Sequence, residues 1–134
     1  KDCFIGTGEI SYGGSTAYEK AKLAGEVVKK RLDFTGVKYD ELKVDLIGVN
    51  SLYGNSIGKK LCDPALLGEV RLRVAGRTVK REDAVKIGNE VETLYTNGPS
   101  GGGGVTKSAS EVVSICSIFI PREDIELEVI YEEV

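Results

Sequence analysis

Gly101, Gly102, Gly103 and Gly104 are the residues of this chain best suited to hold an anion. The amides of consecutive glycines can approach a carboxylate or phosphate with no side chain in the way. Lys107 follows closely enough to add a charge, and Thr106 and Ser108 add hydroxyls. Asn97 precedes the run, and Asn50, Ser51 and Tyr53 lie in a long polar connection. Ser11 and Tyr12 sit beside a second glycine pair, Gly13-Gly14. The candidate ligand-binding set is therefore Ser11, Tyr12, Asn50, Ser51, Tyr53, Asn97, Gly101, Gly102, Gly103, Gly104, Lys107 and Ser108. The competing reading is a plain flexible linker, since glycine loses more backbone entropy on ordering than any other residue.

Other chemistry is thinly represented. The stretch GGGGVTKS resembles a phosphate loop by eye, but G-x-x-x-x-G-K-[ST] needs glycine before the lysine, and Thr106 stands there. It also follows a helix pattern and precedes a strand pattern, the reverse of that motif's context, so nucleotide hydrolysis is excluded. Gly6-Thr7-Gly8 lacks the third glycine of a dinucleotide loop and reads as a flexible lead-in. The chain has no histidine, which removes the commonest general base and transition-metal ligand. Glu9 and Asp45 are strand carboxylates, Glu9 being the better candidate for its proximity to Ser11 and Tyr12, although strand acids usually face solvent. Cys116 reads as a small core residue. Cys3, Cys62 and Cys116 are odd in number with no C-x-x-C spacing, which fits a reducing compartment and neither a disulfide framework nor a zinc site. No catalytic residue, metal or cofactor is assigned, and the domain is expected not to be catalytic on its own.

These residues must be positioned by one domain, residues 1–134. A chain of 134 residues with 41% hydrophobic and 29% charged residues buries enough surface to fold without staples. A net charge of -3 argues against nucleic acid as a partner. The run Val70-Arg71-Leu72-Arg73-Val74 also lacks the rings that stack bases. Arg71, Arg73 and Arg77, with Lys80 and Arg81, read as a solvated or protein-facing strip. No apolar run is long enough for a membrane span, and a cytoplasmic location is expected. The chain starts at Lys1 and contains no methionine, which suggests an excised domain.

Periodicity supplies the elements. Thr7 to Tyr12 reads as a strand. A helix should start at Thr16, with Thr16 and Glu19 as a capping box, and bury Ala17, Ala21, Ala24, Val28 and Leu32 along one stripe. Leu42, Val44 and Leu46 alternate with Lys43 and Asp45 as a second strand, with a phase change toward Val49 that suggests a bulge. The connection from Asn50 to Gly68 is too long to be structureless. Val70 to Val74 is the third strand. Arg81 to Tyr95 is a second helix, with Ala84, Ile87, Gly88, Val91, Leu94 and Tyr95 on one face and Gly98 as a left-handed cap. Val112 to Ile120 and Ile125 to Tyr131 read as two further strands, the second carrying an acid row of Glu126 and Glu128 with Glu132 beyond it that would protect a sheet edge. The expected fold is α+β, a ferredoxin-like βαββαβ two-layer sandwich with an extra C-terminal strand. That plan sends Tyr12 to Ser15, Asn50 to Gly68, and Thr96 to Ser110 to one end.

The segments GEISYGG (8–14), VDLIGVNSLYG (44–54), EVRLRVAGR (69–77) and LYTNGPSGGGG (94–104) together resemble the acyclic terpene utilisation, AtuA-like, family, specifically its C-terminal region. The resemblance implies a ferredoxin-like domain appended to a larger N-terminal domain, in cytoplasmic bacterial proteins of terpenoid or acyl catabolism. It implies docking on that domain or self-association into an oligomer, with loop residues lent to a shared site. The alternative is a regulatory domain that binds a small carboxylate, phosphate or acyl-coenzyme A.

Overall fold

A computed structural model describes residues 3–61, 63 and 66–132. The chain runs β1 (Cys3–Gly13), α1 (Ala17–Phe34), β2 (Glu41–Ile47), α2 (Gly54–Leu61), β3 (Glu69–Thr78), α3 (Arg81–Glu92), α4 (Leu94–Asn97) and β4 (Gly102–Val112), with a short 3-10 turn at Arg122–Asp124. The four strands form one antiparallel sheet in the order β2-β3-β1-β4. α1 and α3 pack on one face of it, giving an α+β two-layer domain.

The core lies between these layers, and strand alternation decides its membership. Ile10 and Tyr12 of β1 and Val70, Leu72 and Val74 of β3 point to the helices and are buried. The predicted stripe of α1, from Ala17 to Leu32, is buried in full. Its alanines bring the helix close to the sheet. α3 comes closer still. A Cβ at Gly6 would lie 2.0 Å from the Ala84 carbonyl oxygen, and one at Gly8 would lie 2.6 Å from Val91 Cβ. On the helix, a Cβ at Gly88 would meet Lys107 Cβ at 2.8 Å and the Thr7 carbonyl oxygen at 3.1 Å. Gly6-x-Gly8 is thus a helix-docking groove within β1 and not a flexible lead-in.

Several sequence expectations are corrected. β1 begins at Cys3, ahead of Thr7. The capping box does not form: Thr16 makes no side-chain cap bond, and α1 begins with the Ala17 amide donating to the Gly14 carbonyl. There is no bulge after β2; Gly48 turns the chain at φ +94, and the Val49 and Asn50 amides both donate to the Leu46 carbonyl. α3 ends at Glu92, and the break at Thr93 rotates Tyr95 off the buried face, leaving it 55% exposed. Gly98 has φ -106 and is no left-handed cap.

The largest correction concerns the last strand. β4 is the glycine run itself, continued to Val112. Its ladder with β1 runs from Tyr12↔Gly102 to Cys3↔Val112. Beyond Val112 the described part of β1 offers no further partner. Residues 113–121 and 125–132 therefore carry no regular secondary structure, and no extra C-terminal strand is present among the described residues. Cys116, expected in the core, is exposed. The acid row of 126–132 borders no sheet edge here. Cys62 lies outside the described residues. Among the described residues no helix is long and apolar enough to cross a membrane.

Candidate functional site

The register gathers three turns at one end of the sheet. Gly13 pairs with Glu69, Tyr12 with Gly102, and Ile47 with Arg71. The turn after β1, the connection from Asn50 to Gly68, and the turn before β4 therefore share a rim. A backbone bond from the Gly14 amide to the Gly68 carbonyl, 2.9 Å, ties the first two.

Three of the four glycines on this rim are required by geometry. Gly101 has φ +82 and Gly104 φ +64, in the left-handed region. Gly102 lies flat on the core, where a Cβ would be 2.8 Å from Ile10 Cδ1 and 3.0 Å from the Tyr12 ring. Gly103 faces open space. The register between Glu9↔Thr106 and Ser11↔Gly103 sets two residues, Gly104 and Val105, against Ile10 alone. This is a bulge with a left-handed glycine at its first position. The Tyr95 hydroxyl accepts a hydrogen bond from the Val105 amide at 3.0 Å, which pins α4 to it.

Arg71 completes this corner from the bare face of the sheet. Its Nε donates to Glu9 Oε2 at 2.6 Å, Nη1 to Ser11 Oγ at 3.0 Å and to the Gly104 carbonyl at 3.1 Å, and Nη2 to Thr106 Oγ1 at 3.1 Å. One guanidinium thus crosses three strands and fixes the bulge. The neighbouring acids are engaged the same way. Arg73 donates to Asp45 at 2.8 Å, and Arg77 to Glu41 at 2.8 Å. Glu9 and Asp45, the two acid–base candidates, are both ion-pair partners.

The remaining candidates disperse. Ser11 and Tyr12 occupy opposite faces of β1, as successive strand residues must. Asn50 caps the turn after β2: its Oδ1 accepts from the Leu46 amide at 2.7 Å and its Nδ2 donates to Asn55 at 2.8 Å. Ser51 is half-buried in that turn, while Tyr53 and Asn97 are exposed. Lys107 and Ser108 lie within β4, opposite Gly8 and Thr7. Lys107 reaches back to α3, donating to Asn89 Oδ1 at 2.9 Å and pairing with Glu92. β2 and β4 are the two outer strands, about 14 Å apart at the usual strand spacing. The set thus forms a flat edge and does not converge on one cleft: Asn50 borders a groove beside β2, and Lys107 and Ser108 border a hollow against α3. The Arg71 crossing is not legible in sequence, because its partners come from two other strands, β1 and β4; only the alternation that puts Glu9, Ser11 and Arg71 on one face hints at it.

Tyr12 yields a direct test. It is fully buried, and its hydroxyl has no hydrogen-bond partner among the described residues. Burial pushes its pKa up from the ordinary 10.0. The folded chain therefore holds this proton more tightly than the unfolded chain. The resulting stability is complete below the unfolded pKa and is lost as pH rises through the raised folded value. Removing the orphan hydroxyl by Tyr12→Phe should stabilise the domain by about 1 kcal/mol at neutral pH and weaken its alkaline destabilisation. Urea unfolding at neutral and strongly alkaline pH checks both; a destabilised variant would refute the orphan assignment.

A two-layer α+β domain with a bare sheet face and a flat loop rim is the class these observations define. A family model described as acyclic terpene utilisation family protein AtuA matches residues 1–131, and the chain belongs to that family. No curated protein and no solved structure matches it.

Proposed function

We propose that this chain is a non-catalytic docking domain of an AtuA-family protein, seated against a larger domain and lending its rim to a site shared between them. The strand order β2-β3-β1-β4, with each neighbour antiparallel, supports reading the two layers as the ferredoxin-like plan. One observation carries the docking role: the connection at the rim presents Leu52 at 86% and Tyr53 at 59% exposure. Adjacent apolar and aromatic side chains held out on an ordered turn are the material of an interface core. Gly101 to Gly104, at the other edge of the same rim, offer backbone that a partner can approach closely. The spread of Asn50, Asn97 and Lys107 across the sheet favours such a flat contact over an enclosed small-ligand pocket.

The test is to mix this chain with the separately produced remainder of an AtuA-family polypeptide. Co-elution is expected, and Leu52→Asp with Tyr53→Asp should weaken the association at least about 30-fold, the scale of losing an interface hot spot. Failure of the unsubstituted chain to associate would end this reading.

A further inference from the structure

The C-terminal segment has the pattern of a strand and no sheet to join. Ile125, Leu127, Val129 and Tyr131 alternate with Glu126, Glu128 and Ile130, yet Leu127 is 93% and Tyr131 91% exposed. At the far side of the domain, β2 is an edge strand. Between β2 and α1 runs a groove of about 610 Å³, floored by Gly25, Leu42, Val44 and Leu46 and flanked by Tyr18 and Asn50. We infer that residues 125–131 of one chain add to the outer edge of β2 in a second copy, the two chains exchanging segments reciprocally. This goes beyond the docking reading above: the partner is a second copy of the chain, and the surface is the outer edge of β2 in place of the rim.

Strand addition supplies affinity through main-chain bonds and specificity through alternate side chains, and here both faces match. On the helix side, β2 presents Leu42 and Val44, which are only partly buried. Gly25 keeps α1 low over them; a Cβ there would be 2.9 Å from Val44 Cγ1. The row of Ile125, Leu127 and Val129 fits this side. On the bare side β2 presents Lys43, whose side chain is 62% exposed. Glu126 and Glu128 would fall beside it. The acids on that side of β2 are already engaged, Asp45 by Arg73 at 2.8 Å and by Lys43 at 3.4 Å, and Glu41 by Arg77; the exposed Lys43 keeps room for a second carboxylate beside it.

Direction selects a second copy over the same chain. Glu41 pairs with Arg77, Arg77 with Ile5, and Ile5 with Ser110. β2 therefore begins at the same end of the sheet from which the tail departs. A chain's own tail, leaving there and running along β2, would lie parallel to it, the less stable pairing. A tail arriving from a two-fold-related copy can run antiparallel, and reciprocal exchange closes the assembly as a dimer.

Sedimentation velocity and disulfide trapping test this on the full chain. A dimer is expected. Leu127→Asp with Val129→Asp should raise its dissociation constant at least about 100-fold, with an unchanged circular dichroism spectrum. With the three native cysteines replaced by serine, a Lys43→Cys chain mixed with a Glu128→Cys chain should give a disulfide-linked heterodimer on oxidation. A chain carrying both cysteines that closes on itself at monomer mass would place the tail on its own edge and overturn the exchange. So would a monomer whose tail is captured only by another protein, or a dimer indifferent to the two aspartates. A monomer that still binds the larger AtuA domain sinks the exchange alone; a dimer that does not bind it sinks the docking reading alone.

Discussion

Gly6→Ala is expected to destabilise the domain by about 3 kcal/mol or more, the upper range for forcing a methyl into a filled core, and to lower the melting temperature by roughly 10 °C. The added Cβ would lie 2.0 Å from the Ala84 carbonyl oxygen and 2.7 Å from the Ala84 Cα. These are backbone atoms early in α3, so no rotamer change relieves the contact. The helix itself must move off β1. It would carry Ile87 and Val91, both fully buried, away from the core. Gly103→Ala is the control: it adds the same methyl in open space and should change stability by less than about 0.5 kcal/mol. Thermal unfolding of the two variants decides the matter. Equal melting temperatures would mean that α3 does not sit on Gly6.

Arg71→Met is expected to destabilise the domain by about 2 kcal/mol, the scale of losing hydrogen bonds to a charged group at a partly buried site. The methionine keeps the apolar stem and removes the bonds to Glu9, Ser11, Gly104 and Thr106. Arg71 and Glu9 are 27% and 24% exposed at their side chains, so water recovers part of the loss. Two readouts separate a clamp from a lone ion pair. The double variant with Glu9→Gln should be less destabilised than the sum of the single ones, because the stranded carboxylate is gone. Amide exchange should also quicken around Gly104 and Val105, which the guanidinium holds from the other face. Exchange unchanged at the bulge would reduce Arg71 to a surface pair.

The elements legible in the sequence were those whose burial is set by local repetition. The stripe from Ala17 to Leu32 and the alternation from Val70 to Val74 each bury one face of a regular element. What escaped depends on residues distant in the chain. Gly6 and Gly8 looked like slack because their reason, the backbone and side chains of α3, lies some eighty positions on. Propensity puts the fourth strand after Val112 for two reasons: glycine is depleted in strands, and the run after Val112 is rich in β-branched residues. Pairing is settled by where β1 is available, and β1 meets Gly102 to Val112. The α3 period extended through Thr93 puts Tyr95 on the buried face, but the helix breaks there and turns Tyr95 outward. The rim itself followed from strand order, while the division of its residues between two faces and two edges required coordinates.

The pairing of every arginine on the bare sheet face with an acid has an electrolyte consequence. Arg71, Arg73 and Arg77 look basic in the primary structure, yet each guanidinium is matched by Glu9, Asp45 or Glu41. A polyanion would release few of its own counterions on meeting these matched guanidinium groups, so attachment through the three arginines should depend little on ionic strength. Attachment that persists undiminished in strong brine is the signature to seek from a surface matched by contour and not by field.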